Sequence, residues 1–236
     1  MKKSKSELRE AIVDTAVTIA ERSNWEAVRL FDVATELNIT LDDIRVYFRE
    51  KEDLVDAWFD RADHQMLQAA ETVEFLSLSS CGRLQYLIMS WLNALAAHRK
   101  VTRQMIGAKL EPGHLHIQIP AIMRISRTVQ WMREATHRDA TFVRRALEET
   151  ALTTIYLATF AYWMQDDSEN SQNTREFLAH KLKMAESLDH MVYRTGYEEN
   201  EAHPSTEPEP IPEIAATFES APISEAVTQE RQAKSG

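Results

Sequence analysis

Residues 39–54 read "ITLDDIRVYFREKEDL", Ile39 to Leu54, and this stretch decides the fold. Thr40 suits the N-cap of a helix, and Asp43, three residues on, is the acidic partner of a capping box. The helix they start carries Leu41, Ile44 and Phe48 at helical spacing. Upstream, Leu30, Val33, Ala34 and Leu37 mark another short helix, joined to it by the tight "NIT" connection. A longer helix over about 6–22, with Leu8, Ile12, Ala16 and Ile19 in register, comes first and is broken by "SNW". A fourth begins near Glu50 and runs through Leu54, Trp58, Ala62 and Met66. Two short helices joined by a three-residue turn, between longer helices, describe a helix-turn-helix.

The helical pattern continues to the end of the folded part. Leu84, Leu87, Ile88, Trp91 and Leu95 form one stripe, and "KVTRQMIGAKL" a shorter helix ended by Glu111-Pro112-Gly113. Pro120 suits the first turn of a helix reaching about Thr136, because a first-turn residue needs no N–H donor. Helices over about 140–165 and 173–193 follow. The chain holds only five Gly, and five of its seven Pro fall after residue 200. The expected class is therefore all-α.

Net charge is −10, but from Tyr197 onward nine glutamates face two basic residues, Arg231 and Lys234. That segment, rich in Glu, Pro, Ser, Thr and Ala, buries too little apolar surface to offset its ordering entropy and is expected to be a disordered acidic tail. The expected layout is a helix-turn-helix domain at 1–60, a larger helical ligand and dimerisation domain at 61–196, and the tail at 197–236. Cys81 is the only cysteine, so no internal disulfide forms. The basic start lacks a long apolar follow-on, and the uncharged run 151–165 is too short to span a bilayer. A cytoplasmic location without a transmembrane segment is expected.

The segment "FDVATELNITLDDIRVYFREKEDL" resembles the TetR family of bacterial repressors. The resemblance lies in Val33-Ala34, Ile39, Thr40, Ile44, Tyr47, Phe48, Lys51-Glu52 and Leu54, with Trp25 as the aromatic before the second helix. It implies a homodimer on operator DNA, each subunit placing Leu41 to Tyr47 in a major groove, with a small apolar ligand in the C-terminal domain. The residues expected at DNA are Arg29, Thr40, Leu41, Asp43, Arg45, Tyr47 and Lys51, the last on a phosphate. Three positions depart from the family: Asp42 replaces a usual Gly, Arg45 a usual Tyr, and Arg29 a small hydroxyl residue. An acid near phosphate repels it, yet acids are also favoured in a first helical turn by the helix dipole.

A second stretch, Asp139 to Leu182, resembles the C-terminal region of the Coq-nine family, accessory proteins of ubiquinone biosynthesis. It carries Asp139, Thr141, Arg145-Ala146, Ile155-Tyr156, Thr159, Gln165-Asp166, Ser168, Thr174 and Phe177-Leu178. This resemblance implies a TetR-like fold without repressor function, an isoprenoid or quinone-lipid ligand, and a quinone-ring hydroxylase as partner. Under either reading, Trp91, Met105, Met123, Trp131, Tyr156, Phe160 and Trp163 are the expected lining of an apolar pocket. The histidines of "GHLHIQ", His114 and His116, lie near His98 and Glu111 in sequence, but no Cys or carboxylate cluster supports a metal. No phosphate loop or nucleophile motif is present. No enzyme, catalytic residue, metal or cofactor is expected. The leading expectation is a regulator; the alternative is the lipid-binding accessory protein.

Overall fold

The computed structural model describes the backbone of residues 5–109, 115–136 and 142–201, and the side chains of 5–108, 123–136 and 146–187. All regular structure among them is helical: α1 Lys5–Arg22, α2 Leu30–Leu37, α3 Leu41–Arg45, α4 Lys51–Ala70, α5 Val73–Ser77, α6 Ser80–Leu95, α7 Arg99–Lys109, α8 Leu115–Ala135, α9 Phe142–Trp163 and α10 Gln172–Glu201. The chain divides into two units between Arg194 and Thr195. The expectation of a disordered tail falls, from residue 202 onward, outside the described residues.

The turn between α2 and α3 follows from its local chemistry. Asn38 takes the left-handed conformation, φ 53°, which its short polar side chain tolerates. Its N–H then reaches the Thr35 carbonyl at 3.1 Å, and the Ile39 N–H reaches that of Ala34 at 3.0 Å. Two backward bonds of this kind close a helix C-terminus and satisfy its last carbonyls. Helix α3 is shorter than the apolar pattern implied. The Tyr47 and Phe48 N–H groups both turn onto the Ile44 carbonyl, at 2.9 Å each, which tightens the chain after Arg45 and drives Phe48 into the core.

Helix α1 buries Ile12, Val13, Ala16, Val17 and Ala20, α2 buries Val33 and Ala34, and Ile44 and Phe48 close this core from α3 and its exit. Helix α4 packs against α1, α6 and α8, and α1 also meets α7. Residue 60, where the sequence suggested a domain boundary, lies inside the continuous helix α4. Helix α8 begins at Leu115, so Pro120 is its sixth residue rather than a first-turn one, and its missing N–H removes one intrahelical bond there. No described helix is long and apolar enough to cross a membrane.

Candidate functional site

The exposed face of α3 is built from its capping chemistry. Thr40 Oγ1 accepts from the Asp43 N–H at 3.1 Å, and Asp43 Oδ2 accepts from the Thr40 N–H at 2.9 Å. The Thr40 hydroxyl also donates to Asp43 Oδ2, at 2.7 Å. Asp43 is therefore engaged in starting the helix, as its spacing from Thr40 implied. Asp42 is engaged differently: it accepts from Arg45 Nε at 2.9 Å and Nη2 at 2.8 Å. Both side chains of this pair remain open to solvent, at 74% and 73%. Leu41 (49%) and Val46 (68%) are exposed beside them. Arg29 is exposed at the N-cap of α2, and Tyr47 is half-buried against Phe48.

Lys51 is held inside the subunit. Its ammonium donates to the backbone carbonyls of Trp25 and Glu26, the latter at 3.0 Å, and lies 5.1 Å from the centre of the Trp25 ring. Partial burial pulls its pKa down, against the charges of Glu52 and Glu26. The first turn of α4 is thereby pinned to the connection before α2, and the Trp25 backbone N–H in turn donates to Gln104 Oε1 of α7 at 2.8 Å. Lys51→Ala should cost about 1–2 kcal/mol of stability through these bonds and the ring contact. An unchanged thermal melt would show that the ammonium does not hold this joint.

The second region is an aromatic core beside a partly buried acid, Asp63. Phe59 of α4 stacks on Trp91 of α6 at 5.8 Å, and Trp91 meets Tyr156 and Phe160 of α9 edge-on, at 5.3 and 5.4 Å. Phe160 stacks on Trp163 at 5.9 Å. Beside these rings Asp63 accepts from Trp91 Nε1 at 2.8 Å, Thr128 Oγ1 at 2.9 Å and Arg124 Nη2 at 3.3 Å. Burial pushes the Asp63 carboxyl up, opposed by Trp91, Arg124 and Thr128. Burial also pushes the Tyr156 phenol well above its usual range, with the Asp63 charge adding to it. Trp163 Nε1 is buried without an acceptor among the described residues.

Four of the expected lining residues, Trp91, Tyr156, Phe160 and Trp163, thus come together in one cluster. Met105 is buried on α7. Met123 and Trp131 are not in the cluster: they face outward on α8, 61% and 47% exposed. The polar members Asp63, Arg124 and Thr128 escaped the sequence reading. The available signal was an acid on the inward stripe of α4, flanked by Phe59, Ala62 and Met66. His98 pairs with Glu21 at 2.7 Å, and His114 and His116 lie outside the described side chains. Glu149 meets Arg133 of α8 at 3.5 Å.

The residues of the second resemblance have a structural task. Asp166 accepts from the Ser168 N–H at 3.0 Å and from the Thr174 N–H and hydroxyl, at 2.9 and 2.5 Å. Ser168 Oγ accepts from the Asn173 N–H at 3.0 Å. Together they satisfy free N–H groups in the first turn of α10. Burial pushes the Asp166 carboxyl up, but the bonds from Ser168 and Thr174 outweigh it and hold it well below the usual carboxylate range. Arg99 locks this connection to α7 through the Asp166 carbonyl and Ser171 Oγ, its guanidinium 4.5 Å from the centre of the Trp163 ring.

A protein-family model described as COQ9 matches residues 140–189, less than half of the chain. No match to a curated protein is found. Among solved structures, a bacterial regulatory protein in the tetR family from Rhodococcus RHA1 is 15% identical with a TM-score of 0.46, covering 78% of this chain and 97% of that one. The crystal structure of the TetR transcriptional regulator from Nitrosomonas europaea ATCC 19718 is 59% identical with a TM-score of 0.68, covering 75% of this chain and 97% of its own. Identity at that level over nearly the whole of the Nitrosomonas protein, on a helix-turn-helix capped as described, shows that the chain belongs to the TetR family of transcriptional regulators.

Proposed function

We propose that the protein is a homodimer that binds operator DNA through α3 and responds to a small, largely apolar ligand at the aromatic core around Asp63. The observation that carries the DNA-binding reading is the state of α3. It is firmly capped, packed inward only through Ile44, and offers Leu41, Arg45 and Val46 to an incoming surface. Neither acid is left as an isolated charge: Asp43 is engaged in the capping box and Asp42 in the pair with Arg45.

Helix α4 supports the regulatory half. Its first residue, Lys51, holds the joint beneath the helix-turn-helix, and Phe59 and Asp63 on the same helix enter the aromatic core. Twelve residues of helix separate Lys51 from Asp63, about 18 Å at 1.5 Å per residue. A ligand that binds one placement of α4 better than another shifts the population of reading-head positions by its difference in affinity. The test is binding of the full chain to its own upstream DNA and to a scrambled duplex at two salt concentrations. Sequence-specific binding that weakens with salt is the expected result. Equal binding to both duplexes would overturn the reading.

The COQ9 match at residues 140–189 favours a second reading, an isoprenoid- or quinone-lipid-binding accessory protein partnered with a quinone-ring hydroxylase. Against it, Asp166, Ser168 and Thr174 are accounted for by the capping of α10. Mass spectrometry of lipid extracted from gently purified protein decides: a stoichiometric prenyl lipid together with no specific DNA binding would favour the accessory role.

A further inference from the structure

We propose that Arg45 reads a guanine in each half-site and that Asp42 positions it. The proposal rests on the DNA-binding reading above. A guanidinium presents five N–H donors in a rigid plane. In Arg45 the edge formed by Nε and Nη2 is turned onto Asp42 Oδ1, at 2.9 and 2.8 Å. The end formed by Nη1 and the second N–H of Nη2 is left for another partner, on a side chain 73% exposed. Two parallel donors of that kind match guanine O6 and N7 in the major groove. The carboxylate removes much of the rotational freedom of a long side chain before DNA arrives, so less ordering entropy is lost on contact.

Charge points the same way. Asp42 and Arg45 sum to zero, so the pair adds little to the general attraction for phosphate. An adjacent carboxylate weakens the net attraction of an arginine for phosphate, whereas an arginine serving a base edge depends on orientation, which the carboxylate supplies. The exposed aliphatic side chains of Leu41 and Val46 beside the pair suit a groove floor better than a phosphate ridge.

The test is selection of binding sites from a random duplex library by the full chain, comparing wild type with D42A/R45A, R45K and D42N. Wild type should enrich a guanine at one position of each half-site. The double variant removes one charge of each sign, so it should keep the salt dependence of non-specific binding. It should lose the guanine preference roughly ten- to hundred-fold. R45K should lose it as well, since an ammonium lacks the planar fork. D42N keeps an acceptor oxygen and should retain it. Thermal melts of the variants control for folding, and these exposed positions should leave them unchanged. An unaltered preference in the double variant, or a loss spread evenly over all positions, would overturn the proposal while leaving the DNA-binding reading intact. Failure of wild type to enrich any site would overturn the DNA-binding reading itself, and the proposal with it.

Discussion

Trp91→Ala should be the most damaging single change, costing about 3–5 kcal/mol of folding stability. The ring is buried among Phe59, Tyr156 and Phe160, with centroids 5.3–5.8 Å away. Alanine leaves a cavity between helices α4, α6 and α9 that rigid neighbours cannot close. It also takes away one of the donors that make the partly buried Asp63 carboxyl tolerable. At roughly 2–4 °C per kcal/mol for a protein of this size, the melting temperature should fall by about 6–20 °C. Trp91→Phe keeps a six-membered ring in the cluster but removes the N–H together with part of the indole, so a smaller loss of about 1–3 kcal/mol is expected. Urea denaturation of both variants makes the comparison. Equal losses would mean that the bond to Asp63, not the packing, carries the effect. Negligible losses in both would contradict the aromatic core as described.

The second large effect lies at Asp166. Asp166→Ala strips three hydrogen bonds from one buried carboxylate, two of them at the start of α10. Bonds to a charged acceptor and the loss of a helix cap together predict a cost of about 2–4 kcal/mol. The pH dependence has a definite sign. The folded carboxyl titrates below its usual range, so it binds its proton less readily folded than unfolded. Its stabilising contribution is fully present above the unfolded pKa of roughly 3.9 and is lost as pH falls from there through the folded value. Asp166→Asn removes that titration. The stability difference between wild type and D166N should therefore be constant at neutral pH and shrink below about pH 4. A difference that stays constant down to pH 3 would exclude Asp166 as the titrating group.

Much of the helix-turn-helix was legible before any coordinates. Thr40 and Asp43 form the capping box their spacing implied, because a cap is a contact between residues three apart and needs no tertiary partner. The run Leu30–Leu37 is the second helix for the same local reason. Tyr156, Phe160 and Trp163 of α9, expected from their aromatic character as lining residues, are buried. What periodicity misjudged were Met123 and Trp131. A large apolar side chain on an amphipathic pattern reads as buried, but α8 turns these two outward.

Hydrophobic spacing, turn residues and caps determined that this chain is all-helical and where its helix-turn-helix lies, because those signals act over three or four residues. Which charges remain available to a partner was a tertiary matter. Lys51 and Arg45 look equally free in the sequence, yet one ammonium is spent on carbonyls 25 and 26 residues away. The other cation is merely held at the surface by a neighbour one helical turn back. The acid at the heart of the molecule shows the same division. Asp63 becomes a partly buried centre only because α6 and α8 bring Trp91, Arg124 and Thr128 to it from 28 to 65 residues away in sequence. No local pattern encodes that meeting: burial of a charge is tolerated only where distant helices supply its donors.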